Sequence, residues 1–143
     1  MASIGTNRLH TALVLVVRDL VRQRQRFALV GGLAVSVRAE PRLTRDVDIA
    51  VAVTGDEHAE AVIRTLTSDG YRAVTVIEQE QTTRLATVRM VTPGQDEAGI
   101  VIDLLFASSG IESELVAAAE AIEILPGLTL PVAQTGHLIA LKL

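Results

Sequence analysis

Asp46 and Asp48 stand two residues apart in LTRDVDIAV (43–51), at the entrance to an apolar run. Alternate residues of a strand project to one face. As a strand, this segment puts both carboxylates on the same side, about 6.6–6.8 Å apart along the backbone. Like charges this close repel unless a proton or a cation intervenes. Asp103 sits in the middle of IVIDLLF (100–106), where an unpaired charge is costly to bury. If the two strands are neighbours, the three carboxylates form one cluster. An oxygen-only donor set suits a hard cation, Mg²⁺ or Mn²⁺. Paired ions in phosphoryl-transfer sites lie about 3.5–4 Å apart, a span that same-face aspartates can bridge.

A plainer reading stands beside this one. Asp46 pairs with Arg42 or Arg45, and Asp103 with Arg89, as ordinary ion pairs. For the Asp-x-Asp pair alone the plainer reading is stronger. The mid-strand Asp103 and a glycine pair tip the balance toward function. Gly31 and Gly32 lie in FALVGGLAV, where a strand turns into a helix. A helix N-terminus carries free N–H groups and partial positive charge, and glycine lets a phosphate approach it closely. Taken alone, the glycines are equally well explained by tight packing. They match neither a P-loop nor the dinucleotide-binding glycine pattern.

These residues need elements to hold them. Helical spacing of Leu9, Ala12, Leu13, Val16, Val17, Leu20 and Val21 predicts a first helix over 8–24. A strand at 27–30 and a short helix ending near Glu40-Pro41 follow. Strands are expected at 46–53, 71–78, 84–91 and 100–106, and a short one within LPGLTLPVA. A helix is expected over 56–70, capped by Thr54 with Glu57 completing a capping box. Another is expected over 111–124 with an extended tail, and a last one begins after Gln134 or Thr135. The mixed order predicts an α/β (α+β) domain: one mixed sheet with helices mainly on one side.

Composition narrows the function. The 143 residues suffice for one domain with one core. Hydrophobic residues make up 49% and aromatics 2%, so Val, Leu, Ile and Ala must build that core. Few aromatics argue against a base-stacking platform, and a net charge of −4 against a generally basic nucleic-acid footprint. With no cysteine, disulfides and thiolate chemistry are excluded. No segment is long and apolar enough to span a bilayer, and a cytoplasmic protein is the default expectation. The terminal GHLIALKL reads as a helix in progress, so a single domain over 1–143 that lacks a C-terminal helical continuation is expected. Arg18, Arg22, Arg24 and Arg26 offer an RNA- or partner-binding edge, but cations near a helix C-terminus also suit its dipole, the favoured reading. His10, His58 and His137 lack ligand spacing and suit surface or capping roles. Arg84 and Arg89 lie on opposite faces of one strand, and a salt bridge is the expected role of Arg89.

Gly31-Gly32 followed by Arg42-x-Thr44-x-Asp46-x-Asp48 resembles the signature of the DNA polymerase β-like nucleotidyltransferases. The Arg-x-Thr-x-Asp-x-Asp form looks most like the AbiEii-type group of toxin–antitoxin and phage-defence systems. VIDLLF resembles that superfamily's third-carboxylate strand, and HLIALKL the start of its lysine-bearing helix. The resemblance covers roughly residues 27–53, 99–106 and 135–142. It implies the nucleotidyltransferase fold and transfer of an NMP from an NTP to an acceptor hydroxyl. It also implies roles: Gly31 and Gly32 at the nucleotide's phosphates, Asp46 and Asp48 on two Mg²⁺ ions, and Asp103 on the second metal, helping to activate the acceptor. Thr44 would support the acidic strand or touch a phosphate, and Lys142 would approach the triphosphate. The acceptor stays open among tRNA, a protein hydroxyl and a small molecule such as an aminoglycoside, as does oligomeric state. The alternative is a non-catalytic binding partner of the same fold, such as an antitoxin.

Overall fold

The computed structural model describes residues 4–38, 46–79, 84–95, 100–108 and 110–141. Helix α1 (Ile4–Arg22) leads into strand β1 (Arg26–Val30), helix α2 (Gly31–Arg38) and strand β2 (Asp46–Ala52). Helix α3 (Asp56–Ser68) precedes strands β3 (Arg72–Gln79), β4 (Arg84–Val91) and β5 (Val101–Ala107). Helix α4 (Gly110–Ala117), strands β6 (Glu120–Leu125) and β7 (Leu128–Val132), and helix α5 (Thr135–Leu141) complete the order. The seven strands form one mixed sheet ordered β3-β4-β5-β2-β1-β7-β6. β2 pairs parallel with β5 and β1 parallel with β7; the other pairings are antiparallel. The mixed α/β architecture is the one the sequence predicts.

β2 explains the layering. Val47, Ile49 and Val51 are fully buried, whereas Asp46 is exposed and Asp48 half-buried, so the strand's alternation separates an apolar face from an acidic one. Ile102 and Leu104 of β5 and Val88 and Met90 of β4 join the buried set. From α1 come Ala12, Leu13, Val16, Val17 and Leu20, spaced to form one helical stripe. Burying one such Leu or Val side chain stabilises the fold by roughly 1.5–3 kcal/mol. Aliphatic packing therefore builds the core with few rings.

α1 also carries a buried charge. Asp19 is only 2% exposed. Its carboxylate accepts a hydrogen bond from the Tyr71 hydroxyl at 2.7 Å and lies 3.2 Å from Arg18 and 3.7 Å from Arg22. Burial first, then the Asp19 hydrogen bond and charge, push the Tyr71 phenol above its ordinary range. Two of the arginines noted in the sequence thus have a structural partner. Beyond them the helix closes with Arg24 at φ +60°, and the Gln25 N–H reaches back to the Leu20 carbonyl at 2.9 Å. That is a left-handed helix cap, a geometry usually taken by glycine.

Two expectations need correction. The helix expected over 111–124 is shorter: α4 stops at Ala117, and the tail expected to be extended is strand β6, Glu120–Leu125. The Ala- and Glu-rich stretch favours helix locally, but a tight turn at Gly127 (φ +79°) folds it antiparallel onto β7. Sheet pairing overrides propensity there. Nor does Thr54 cap α3. The N-cap is Gly55, without a side-chain hydrogen bond. Instead the Thr54 backbone N–H donates to His58 Nδ1 at 3.0 Å. Nδ1 must then be unprotonated, so Nε2–H donates to Gln25 Oε1 at 2.8 Å. His58 ties the start of α3 to the turn between α1 and β1.

The buried carboxylate gives a test. Tyr71→Phe keeps the ring's volume and removes one hydrogen bond to Asp19, with an expected cost of about 1–3 kcal/mol. Urea unfolding of the two proteins measures it. A midpoint unchanged within error would show that the hydroxyl is dispensable.

Candidate active site

The register of the sheet assembles the site. Parallel pairing sets Asp48 of β2 beside Asp103 of β5. Antiparallel pairing then sets Arg89 of β4 beside Asp103, and Thr75 of β3 beside Arg89. On the other flank Val30 of β1 pairs with Asp48, and Gly31 follows it. Thr75, Arg89, Asp103 and Asp48 thus lie in one row across four adjacent strands, ending against the β1–α2 junction. Asp46 lies two residues before Asp48 on the same strand face, at the exposed start of β2.

Asp103 is chelated by Arg89. The guanidinium donates from Nε to Oδ1 at 2.8 Å and from its second terminal nitrogen to Oδ2 at 2.9 Å. The Asp103 side chain is 13% exposed and that of Arg89 43%. The expected salt bridge is present, in the two-toothed geometry that makes such pairs strong. Asp103 in turn holds the guanidinium firmly charged.

Asp48 has no such partner to itself. Its pKa is raised to about 6, first by burial, then by the charge of Asp103, a hydrogen bond with Asp103, and the charge of Asp46. Arg89 opposes these effects only in part. Asp48 therefore retains a proton more readily than an isolated carboxyl.

Gly31 is fixed by two constraints. Its φ is +72°, a backbone conformation that side chains disfavour. A Cβ there would overlap the Asp48 carboxylate, lying 2.8 Å from its Cγ. The start of α2, with the positive end of its dipole, is thereby pressed against the acid. Beside Asp103, on the opposite side from Asp48, a recess of about 210 Å³ is lined by Thr75, Thr87, Arg89 and Asp103.

The structure therefore brings together Asp48, Asp103 and Gly31, with Asp46 and Gly32 adjoining. Thr44 and Lys142 lie outside the described residues, as do Arg42 and Arg45. Among the described residues, no three acidic, histidine or cysteine side chains already stand as a metal-binding group. The donor set nonetheless fits a hard cation. It is carboxylate oxygen only, and the repulsion that raises Asp48 is what a divalent ion would relieve. Thr75 and Thr87 were not singled out in the sequence. Thr87 carried a signal, being two residues from Arg89 and hence on its face. Thr75 carried none, because its place depends on the β3–β4 register.

Comparisons with known proteins fit this geometry. The family model described as "Nucleotidyl transferase AbiEii toxin, Type IV TA system" matches residues 14–143. No curated protein sequence matches the chain. Among solved structures, a candidate nucleotidyltransferase from Thermotoga maritima superposes with a TM-score of 0.64 at 12% identity, covering 95% of this chain and 83% of that one. A nucleotidyltransferase-like antigen from Paracoccidioides brasiliensis superposes with a TM-score of 0.61 at 15% identity, covering 99% and 67%. The lincomycin-bound lincosamide adenylyltransferase LnuA gives 0.58 at 14% identity, covering 91% and 83%. At these identities the likeness is one of fold.

The acid pair makes two stability predictions. The folded pKa of Asp48, about 6, exceeds the ordinary 3.8, so the fold resists its charged form. With divalent ions chelated, this group's penalty is full above pH 6 and fades as pH falls toward 4. Asp48→Asn should raise stability at pH 7.5 by roughly 1 kcal/mol, discounted for partial solvent screening, and flatten that dependence. Melting temperatures from pH 4.5 to 8 check both; a lower melting point for the variant at pH 7.5 would refute the repulsion. Arg89→Ala should do the opposite, costing about 1–3 kcal/mol by leaving Asp103 uncompensated. A melting point equal to the parent's would count against that.

Proposed function

Because the chain belongs to the AbiEii nucleotidyltransferase family, we propose that it transfers an NMP from an NTP to an acceptor hydroxyl at the Asp48–Asp103 pair. The observation that carries this reading is the register-matched pair of carboxylates, with Asp48 pressed against Gly31. Asp46 and Asp48 would hold divalent ions, Mg²⁺ or Mn²⁺, with Asp103 sharing the second. Such ions, when bound, neutralise charge building up around the transferring phosphorus.

The protein's own residues do the rest. Gly31 and Gly32, at the start of α2, admit the triphosphate to the positive end of the helix. Asp103 faces the acceptor hydroxyl and takes its proton. The acceptor oxygen bonds to the α-phosphorus, the bridge to the β-phosphate breaks, and pyrophosphate leaves with the bonding electrons. Catalysis is then mostly positioning and charge neutralisation, for which a shallow open site suffices. Thr44 is assigned to the acidic strand or a phosphate, and Lys142 to the triphosphate. The family's toxin–antitoxin character supports a toxic role for the transfer, with tRNA, a protein or a small molecule as acceptor.

A second reading has one observation in its favour. The Arg89–Asp103 chelate engages both oxygens of the third carboxylate, as a purely structural ion pair would. On that reading the chain is a binding partner and does no chemistry.

Thermal stability separates the two. A ligand that binds only the native state stabilises it by mass action, about 2.7 kcal/mol at one hundred times its Kd. For a domain of this size that is a rise of several degrees. The rise should require both Mg²⁺ and one particular NTP and vanish in Asp48→Ala. Transfer of label from that NTP should fall at least about a hundredfold in the same variant, the scale of losing a key electrostatic group. Undiminished transfer by Asp48→Ala would defeat the mechanism, and the absence of any NTP effect would favour the binding role.

A further inference from the structure

The recess beside Asp103 has no part in holding a nucleotide at Gly31, because the carboxylate pair stands between them. Its makeup is specific. Thr75 and Thr87 bring hydroxyls with no protein partner among the described residues, and a hydroxyl both donates and accepts. Arg89 spends two of its donors on Asp103 and keeps the rest of its five on a partly exposed guanidinium that lines the recess. Among the described residues, no aromatic ring and no large aliphatic side chain lines it. A ligand there meets two hydroxyls, a guanidinium and a carboxylate.

Size is equally restrictive. At about 210 Å³ the recess is smaller than the usual 300–1,000 Å³ of a small-molecule site. It takes one ring with its substituents. Asp103 and Thr75 are separated by two strand spacings, about 10 Å. A ring hydroxyl at Asp103 and an anionic substituent at the guanidinium fall within that span.

We propose that Thr75, Thr87 and Arg89 form the acceptor subsite, and that it takes a hydroxylated sugar bearing a phosphate. The subsite rests on the transferase reading above and adds to it the class of acceptor. The reacting hydroxyl lies at Asp103. The threonines bind the neighbouring hydroxyls, and the free edge of Arg89 binds the phosphate. The same chemistry is offered by a free sugar phosphate and by the terminal nucleotide of an RNA strand. An unmodified peptide hydroxyl would bring no anionic substituent to the guanidinium edge.

The test is a titration of the full chain followed by backbone and threonine-methyl NMR. The probes are ribose 5-phosphate, glucose 6-phosphate and an RNA trinucleotide, with ribose, inorganic phosphate and a serine peptide for contrast. Shifts at Thr75, Thr87 and Arg89 are expected from the sugar phosphates or the trinucleotide. The stronger of these identifies the source. Thr75→Val with Thr87→Val should weaken that binding about tenfold or more, the scale of one or two lost hydrogen bonds. Serine at both positions should restore it. Equal binding by the valine variant, equal binding of inorganic phosphate alone, or shifts produced only by the peptide would overturn the proposal. Melting with Mg²⁺ and NTP is run on the same samples. Its absence in parent and variant alike would sink the transferase reading separately, while the sugar-phosphate shifts remain readable.

Discussion

Everything at this site follows from placing two carboxylates side by side in a parallel pair of strands. Asp48 and Asp103 are neighbours because β2 and β5 pair in one register. A slip of one residue would turn one of them to the opposite face. The fold carries a standing cost as a result: burial first and the neighbouring carboxylates second raise the pKa of Asp48. Arg89 relieves half of the problem by gripping Asp103. The other half is left in place, an unfavourable local arrangement of the kind that gathers where a ligand completes the structure.

The surrounding residues are shaped by that pair. Gly31 is glycine because Asp48 occupies the volume of its missing side chain and because the backbone turns through a positive φ. The apolar side of β2 fixes the strand deeply enough to keep the carboxylates from swinging apart, with Val47, Ile49 and Val51 fully buried. The second buried acid, Asp19, shows the contrast. It has a tyrosine and two arginines within reach, and so it is an ordinary structural ion.

How much of this was legible in the sequence depended on distance along the chain. Asp46 and Asp48 announced their shared face by alternation alone, and Gly31-Gly32 lay where apolar strand met apolar helix. The Arg89–Asp103 pair was readable as a cation and an anion needing partners, though its chelating geometry was not. The extended tail of 111–124 was legible, but where helix gives way to β6 was not, because Ala and Glu favour helix locally and pairing with β7 sets the strand. His58 was expected to have a surface or capping role, but its link to Gln25, 33 residues away, has no local signal. Thr75 had to wait for the β3–β4 register.

The distance between Asp48 and Asp103 in sequence has a consequence for the life of the molecule. Neither β1 nor β2 holds the acid pair alone, and the partner acid arrives only with β5, after two intervening strands and a helix. A chain emerging from the ribosome therefore lacks this acid pair until most of it has been made. The topology therefore lets the acid pair form only once β5 has joined β2 in the sheet.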